Sequence, residues 1–233
     1  MKEKIFINAR IIDPSQKMDE KGSVILDKNG KVKAIGKNIK KSDAHSSVEV
    51  IDVKGNLLIP GLVDMKAFVG EPGYEYKENF RTLSQAALAG GVTSIVTMPN
   101  TKPIIDNVSM VDFIIRRGRD KALVNLFPCA SITKQIEGNL MTEFGLLSSR
   151  GIIGFSDVNK TIQNTELMAR IMDYASDLGV LIMQHAQDYE LSKNACINDG
   201  EIATRLGLEG VSPIAEKIII ERDLSLLSEY PCR

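Results

Sequence analysis

Residues 86–101, AALAGGVTSIVTMPNT, decide how this chain folds. A helix-like run stops at Gly90-Gly91, as helices commonly stop on glycine. Thr93 to Met98 is then a short apolar, β-branched run that reads as a buried strand. Pro99-Asn100-Thr101 breaks it, and a helical pattern resumes around Val108 to Arg117. Helix, strand, loop and helix again is the rhythm of a parallel sheet, because parallel neighbours need a crossover between them.

The rhythm extends in both directions. Gly61 to Phe68 reads as a first strand, followed by a helix over Lys77 to Ala89. Leu123 to Ala130 is a third strand, and a short helix leads to a fourth, Gly151 to Asp157 (GIIGFSD). Thr165 to Leu178 predicts an amphipathic helix with Leu167, Ile171, Tyr174 and Leu178 on its apolar face. Val180 to His185 (VLIMQH) is a fifth strand, then come a polar stretch and a last helix, roughly Ile214 to Leu227. Upstream, IFINARIID, SVILD, VKAIG and VEVIDV are strand-like, separated by Asp13-Pro14, Lys28-Asn29-Gly30 and Lys54-Gly55. Two domains are expected: a small antiparallel β unit over 1–55 and an α/β domain over 56–233.

A doubly wound sheet and a (β/α)8 barrel both fit this alternation. The polar residues favour the barrel. Lys66, Asn100, Asp157 and His185 fall at or just past the C-terminal ends of strands, the edge where barrel enzymes assemble their sites, although open α/β sheets also bind ligands there. The stretch after Pro60 falls short of the ~250 residues of a complete barrel, and about five strands are legible where eight are needed. The barrel is therefore expected to be incomplete at its C-terminus, either as part of a longer polypeptide, the favoured reading, or with its missing wall supplied by another chain.

Composition narrows the function. Apolar residues at 43% and charged residues at 25% are ordinary for a soluble globular protein. A net charge of -1 leaves no electrostatic footprint for nucleic acid or an anionic membrane. No apolar run approaches the ~20 residues that span a bilayer, and MKEKIFINARIID carries charges where a signal peptide would be apolar. Cys129, Cys196 and Cys232 have no close spacing, so neither a disulfide framework nor a zinc knuckle is suggested and a cytoplasmic location is expected. The two histidines are His185 and His45, the latter in the polar stretch KKSDAHSSVEV, so a mechanism needing several is short of them. Neither GxGxxG nor GxxxxGK[ST] occurs, and Gly90-Gly91 is helix termination, not a phosphate loop.

LLIPGLVDM, EPGYEYKE, AALAGGVTSIVTMPNTKPIIDN, GIIGFSD, QNTELMARIMDYA, MQHAQD and NDGEIATRLGLEGVSPIAE run in this order. Together they resemble the dihydroorotase branch of the amidohydrolase superfamily, near the allantoinases and hydantoinases, across almost the whole chain. The resemblance implies an amidohydrolase-type TIM-like (β/α) barrel, with a β-sandwich part-built from the N-terminal strands. It also implies zinc and a small-molecule substrate: interconversion of N-carbamoyl-aspartate and dihydroorotate in pyrimidine biosynthesis. In that family the first strand carries Asp-x-His-x-His, whose histidines hold metal, and then an arginine for the substrate carboxylate. Here Asp64 is kept, Lys66 and Phe68 stand at the histidine positions, and Gly70 stands at the arginine. Asn100 matches the family's substrate-binding asparagine, Asp157 a carboxylate that bridges metals in one branch, and His185 a further metal histidine. A later metal histidine and the catalytic aspartate would lie beyond Arg233.

The chemistry of these exchanges is unfavourable to a metal. Alternate strand residues share a side, so Asp64, Lys66 and Phe68 would face the barrel interior together. Zinc takes imidazole, thiolate or carboxylate; an ammonium offers three donors and no lone pair, and a phenyl ring offers nothing. Asp157 and His185 are left as relic metal candidates, too few for a tight site. Beside Lys66, His185 reads as a hydrogen-bonded strand-end histidine before it reads as a ligand, and Asn100 as either turn chemistry or a substrate ligand. Lys66 is expected to pair with Asp157, because an unpaired buried carboxylate is costly; the alternative is a buried lysine base. Glu71-Pro72-Gly73 reads as loop geometry, and Asn198-Asp199-Gly200 with Arg205 as either a solvated loop or a pocket lining.

Two classes of function remain. One is a catalytically impaired or inactive dihydroorotase homologue with no metal bound, retained for assembly. The resemblance then implies aspartate transcarbamoylase or self-association as partner. The other is a working zinc cyclic-amidohydrolase, a dihydroorotase or allantoinase, on a non-standard site. The residues favour the first, and no catalytic residue is assigned.

Overall fold

The computed structural model describes residues 2–37, 39 and 48–233; His45 lies outside them. Two compact units result, Met1–Gly61 and Leu62–Arg233.

In the first unit β1 (Lys4–Asp13) runs antiparallel to β2 (Met18–Leu26), which runs antiparallel to β3 (Val32–Gly36). On its other edge β1 pairs in parallel with β4 (Glu49–Asp52) and with β5 (Leu57–Leu58). The unit is therefore a mixed sheet and not the all-antiparallel one expected. β1 is ten residues long, so two short strands share its edge end to end, Lys4–Ile7 facing β4 and Arg10–Ile11 facing β5. That second pairing carries the unit to Gly61, past the expected boundary at 55. Ala9, Ile11 and Val24 are its buried core, with Met18, Leu26, Ile35, Val53 and Leu58 around them.

The second unit is built on parallel strands. β6 (Leu62–Ala67) leads through α1 (Phe80–Ala89) to β7 (Val92–Thr97), and α2 (Val108–Lys121) leads to β8 (Asn125–Pro128). The pairs β6–β7 and β7–β8 are parallel. α3 (Phe144–Ser148) then precedes β9 (Gly154–Phe155), and α4 (Thr165–Leu178) precedes β10 (Leu181–Ile182), which pairs in parallel with β9. β8 is joined to β9 by a parallel bridge between Ala130 and Phe155. Hydrogen bonds from Ile153 N to Pro128 O, Ala130 N to Gly154 O and Ser156 N to Ala130 O support that joint. The five strands thus follow one another in chain order, as a barrel wall requires. A small parallel pair, β11 (Ile197–Asn198) with β12 (Gly210–Val211), flanks α5 (Glu201–Leu206) before α6 (Ile214–Glu229).

Local signals set the element bounds. α1 starts at Phe80 and not at Lys77, because Asn79 caps it in a reciprocal box with Thr82. Asn107 and Asn164 cap α2 and α4 by a single bond each, accepting from a backbone N–H three residues on. β9 and β10 are two residues each, where seven and six were expected. The apolar face of α4 is also rotated. Met168, Ile171, Met172 and Ala175 are buried, whereas Tyr174 and Leu178 stand at the surface and Leu167 is half-buried. Both sets satisfy helical spacing; the small Ala175 and adaptable methionines are the ones that meet the core.

Two apolar clusters flank this wall. The larger joins Phe80, Val111, Ile114, Phe144, Leu147, Phe155, Ile171 and Ala175, largely from the helices. The smaller joins Val96, Met98, Cys129, Ile136 and Val158. Neighbouring Cys129 and Ala130 enter different clusters, as successive strand residues must. Phe144 and Phe155 are fully buried and stack at 3.7 Å between centroids, 11° from parallel. Phe144→Ala is expected to cost about 3–5 kcal/mol, read as a lower urea midpoint with an unchanged denaturant slope.

Candidate functional site

The loops that leave β6, β7, β8, β9 and β10 bring the predicted site residues to one edge of the wall. On β6, Asp64 is exposed and its Oδ1 accepts from the Lys66 backbone N–H at 2.9 Å. Lys66 sends its ammonium across the edge, where Nζ donates to the Val158 carbonyl at 3.1 Å. Phe68 packs its ring against Tyr74, 6.2 Å between centroids. Tyr74 in turn meets Tyr76 edge-on, and Lys77 Nζ lies over both tyrosine rings. Gly70 has φ +69, and a Cβ there would sit 2.5 Å from Glu78 O and 2.8 Å from Tyr74 O. That backbone admits glycine and no larger side chain.

Asp157 follows β9 and is buried. Its Oδ1 accepts from Thr133 N at 3.0 Å and its Oδ2 from Thr133 Oγ1 at 2.5 Å. The Thr133 hydroxyl itself accepts from Gly138 N at 2.9 Å. Burial pushes the Asp157 carboxyl above its ordinary value of 3.8, while the Thr133 bonds and the charge of Lys160 pull it back. The expected ion pair between Lys66 and Asp157 is not formed. Lys66 goes to the carbonyl of the next residue, and the carboxylate takes its hydrogen bonds from Thr133, with Lys160 as the charge that acts on it.

His185 follows β10, and its Nε2 lies 2.9 Å from Gln187 Oε1. Its carbonyl accepts from Thr161 Oγ1. Asn100 follows β7 and is half-buried, with Oδ1 shielded from water and without a partner. Thr97 Oγ1, at the end of β7, and Ser131 Oγ, just beyond β8, are buried and unpartnered as well. All three lie at the C-terminal edge of the wall. Asn198, Asp199, Gly200 and Arg205 are all exposed.

Glu71 does more than shape a loop. It is buried, accepts from Phe80 N at 3.2 Å at the start of α1, and binds Arg117 Nε of α2 at 2.7 Å. Thr133 and Lys160 carried no signal in the sequence, because their partners lie more than twenty residues away in other loops. The sequence marked Glu71 only as part of a turn, because its partners sit on two helices that meet it after folding.

The residues do not fit a metal. Lys66 offers no lone pair to one, Phe68 none at all, and the Asp157 oxygens accept from Thr133. Among the described residues no three His, Cys, Asp or Glu side chains are grouped to hold a metal ion.

The family model for dihydro-orotase-like proteins matches residues 55–231. This chain belongs to that dihydroorotase family. Proteins named dihydroorotase match it from Syntrophus aciditrophicus, 42% identical over 95% of this chain and 51% of the relative, and from Ehrlichia chaffeensis, 41% identical over 95% and 49%. The chain thus spans about half the length of the relatives it matches. Among solved structures, an L-hydantoinase (dihydropyrimidinase) from Arthrobacter aurescens superposes at a TM-score of 0.78, with 20% identity over 100% of this chain and 52% of that one. A dihydroorotase crystal structure superposes at 0.58, with 12% identity over 97% and 63%. At that identity these two speak for the fold, an amidohydrolase-type α/β barrel of which this chain forms a part.

Asp157 gives a test with a definite sign. A carboxyl whose folded value is raised contributes most to stability when protonated, and loses that contribution as pH rises through the folded value. Asp157→Asn keeps both Thr133 contacts with one donor reversed. It is expected to melt no lower than wild type at pH 7.5, and to lose that relative advantage as the pH falls towards 3.8. Thermal unfolding at both pH values checks this.

Proposed function

We propose that this chain is a dihydroorotase-like protein of pyrimidine biosynthesis in which the metal-dependent hydrolysis of a cyclic amide has been lost. The observation that carries the reading is the Lys66 ammonium bound to the Val158 carbonyl at 3.1 Å, at a position where the family places a metal-holding imidazole. A cation there repels a second cation. Phe68 and Gly70 support the same reading, since one supplies no lone pair and the other cannot carry the family's arginine. Asn100, with its unpartnered Oδ1, is the residue we assign to a retained small-molecule contact; Asp157 and His185 are relics of the metal set.

What such a protein would do follows from what it keeps. A barrel wall with the family's surface but without its metal strand can serve assembly, and we propose a cytoplasmic complex with aspartate transcarbamoylase or with further copies of the chain. Hydrolysis of dihydroorotate by the purified polypeptide containing this chain is expected at the uncatalysed rate, with zinc far below stoichiometric by elemental analysis. Turnover together with one zinc per chain would establish the other reading, an active zinc amidohydrolase on a non-standard site.

A further inference from the structure

Two lysines at this edge hold carbonyls that belong to residues in an unfavourable conformation. Lys66 Nζ donates to Val158 O at 3.1 Å, and Lys160 Nζ donates to Ile136 O at 2.9 Å. Val158 has φ +60 and Ile136 φ +55, with Gln135 beside it also at +55. A β-branched residue in the left-handed region is a genuine outlier, and such strain persists only where the surroundings over-determine it. Both residues are buried in one apolar cluster with Val96, Met98 and Cys129. Their side chains are thus fixed inward, and each carbonyl is met by an ammonium.

We infer that Lys66 and Lys160 form an ammonium clamp that holds the two strained turns beyond β8 and β9. Lys66 does so across 92 residues of sequence, fastening β6 to the loop after β9. Here a charge-assisted hydrogen bond, about twice as strong as a neutral one, makes the connection. Each ammonium is needed because its turn would otherwise relax towards negative φ, and the buried Val158 or Ile136 would be pulled from the cluster. Lys66 and Lys160 are positioning residues in this scheme. It stands apart from the catalytic reading, because it is measured in unfolding and exchange and not in turnover.

A double-mutant cycle tests it. Lys66→Met is expected to speed amide exchange over residues 156–161 about tenfold, the effect of losing one hydrogen bond to a charged group, and to lower the thermal midpoint. In a Val158→Gly background, where positive φ is unstrained, the same substitution should have little further effect. Adding a chelator should change neither protein. Equal effects of Lys66→Met in both backgrounds would show the sites to be uncoupled and overturn the clamp, as would a midpoint that falls when the chelator is added. Should Lys66→Met fail to fold, Lys160→Met with Ile136→Gly provides the same cycle with the same two outcomes.

Discussion

A parallel strand can meet its neighbour only after the chain has travelled back over the sheet. This single constraint organises the second unit. It forces a helix or long loop between each pair of strands from β6 to β10 and turns all their C-terminal ends the same way. Residues as distant as Lys66, Asn100, Asp157 and His185 are collected at one edge for that reason alone. The large apolar cluster and the small one on either side of Cys129 and Ala130 hold the wall in place. Loops of the edge contribute to both, Val158 and Ile136 to the small cluster and Ile132 and Ile162 to the large one, so the edge is anchored by its apolar side chains.

Anchored in this way, the edge keeps its place in the amidohydrolase-type barrel wall whatever polar residues it presents. Every candidate donor is answered locally by an ordinary group. Asp157 is satisfied by a threonine, His185 by a glutamine, and Lys66 by a backbone carbonyl. The unpartnered oxygens of Thr97, Asn100 and Ser131 are the part of the edge that the protein does not answer for itself.

Much of the frame was legible in the residues. β3 and α4 fall on their expected bounds, since turn residues and capping asparagines mark ends by local chemistry. The family surfaced through segments such as MPNT and FSD, which lie on the very loops that build the edge. Three things were not legible. The face of α4 was ambiguous because two sets of residues share helical spacing, and only packing chooses between them. The parallel placement of β4 and β5 depends on how one long strand is shared. The partners of Asp157 and Lys66 depend on loops that meet only after folding, so a charge-pairing argument, reasonable in the sequence, named the wrong counterpart.

Gly70 fixes the corner between β6 and α1. With φ +69, and the carbonyls of Glu78 and Tyr74 within 2.8 Å of where a Cβ would stand, position 70 has no room for a side chain. The backbone folds back on itself there, Tyr74 N donating to Gly70 O at 2.6 Å. Chemistry at this corner must therefore be carried by neighbours such as Phe68 and Tyr74, which pack against each other. The glycine acts as a keystone, and what its loop presents can change only around it.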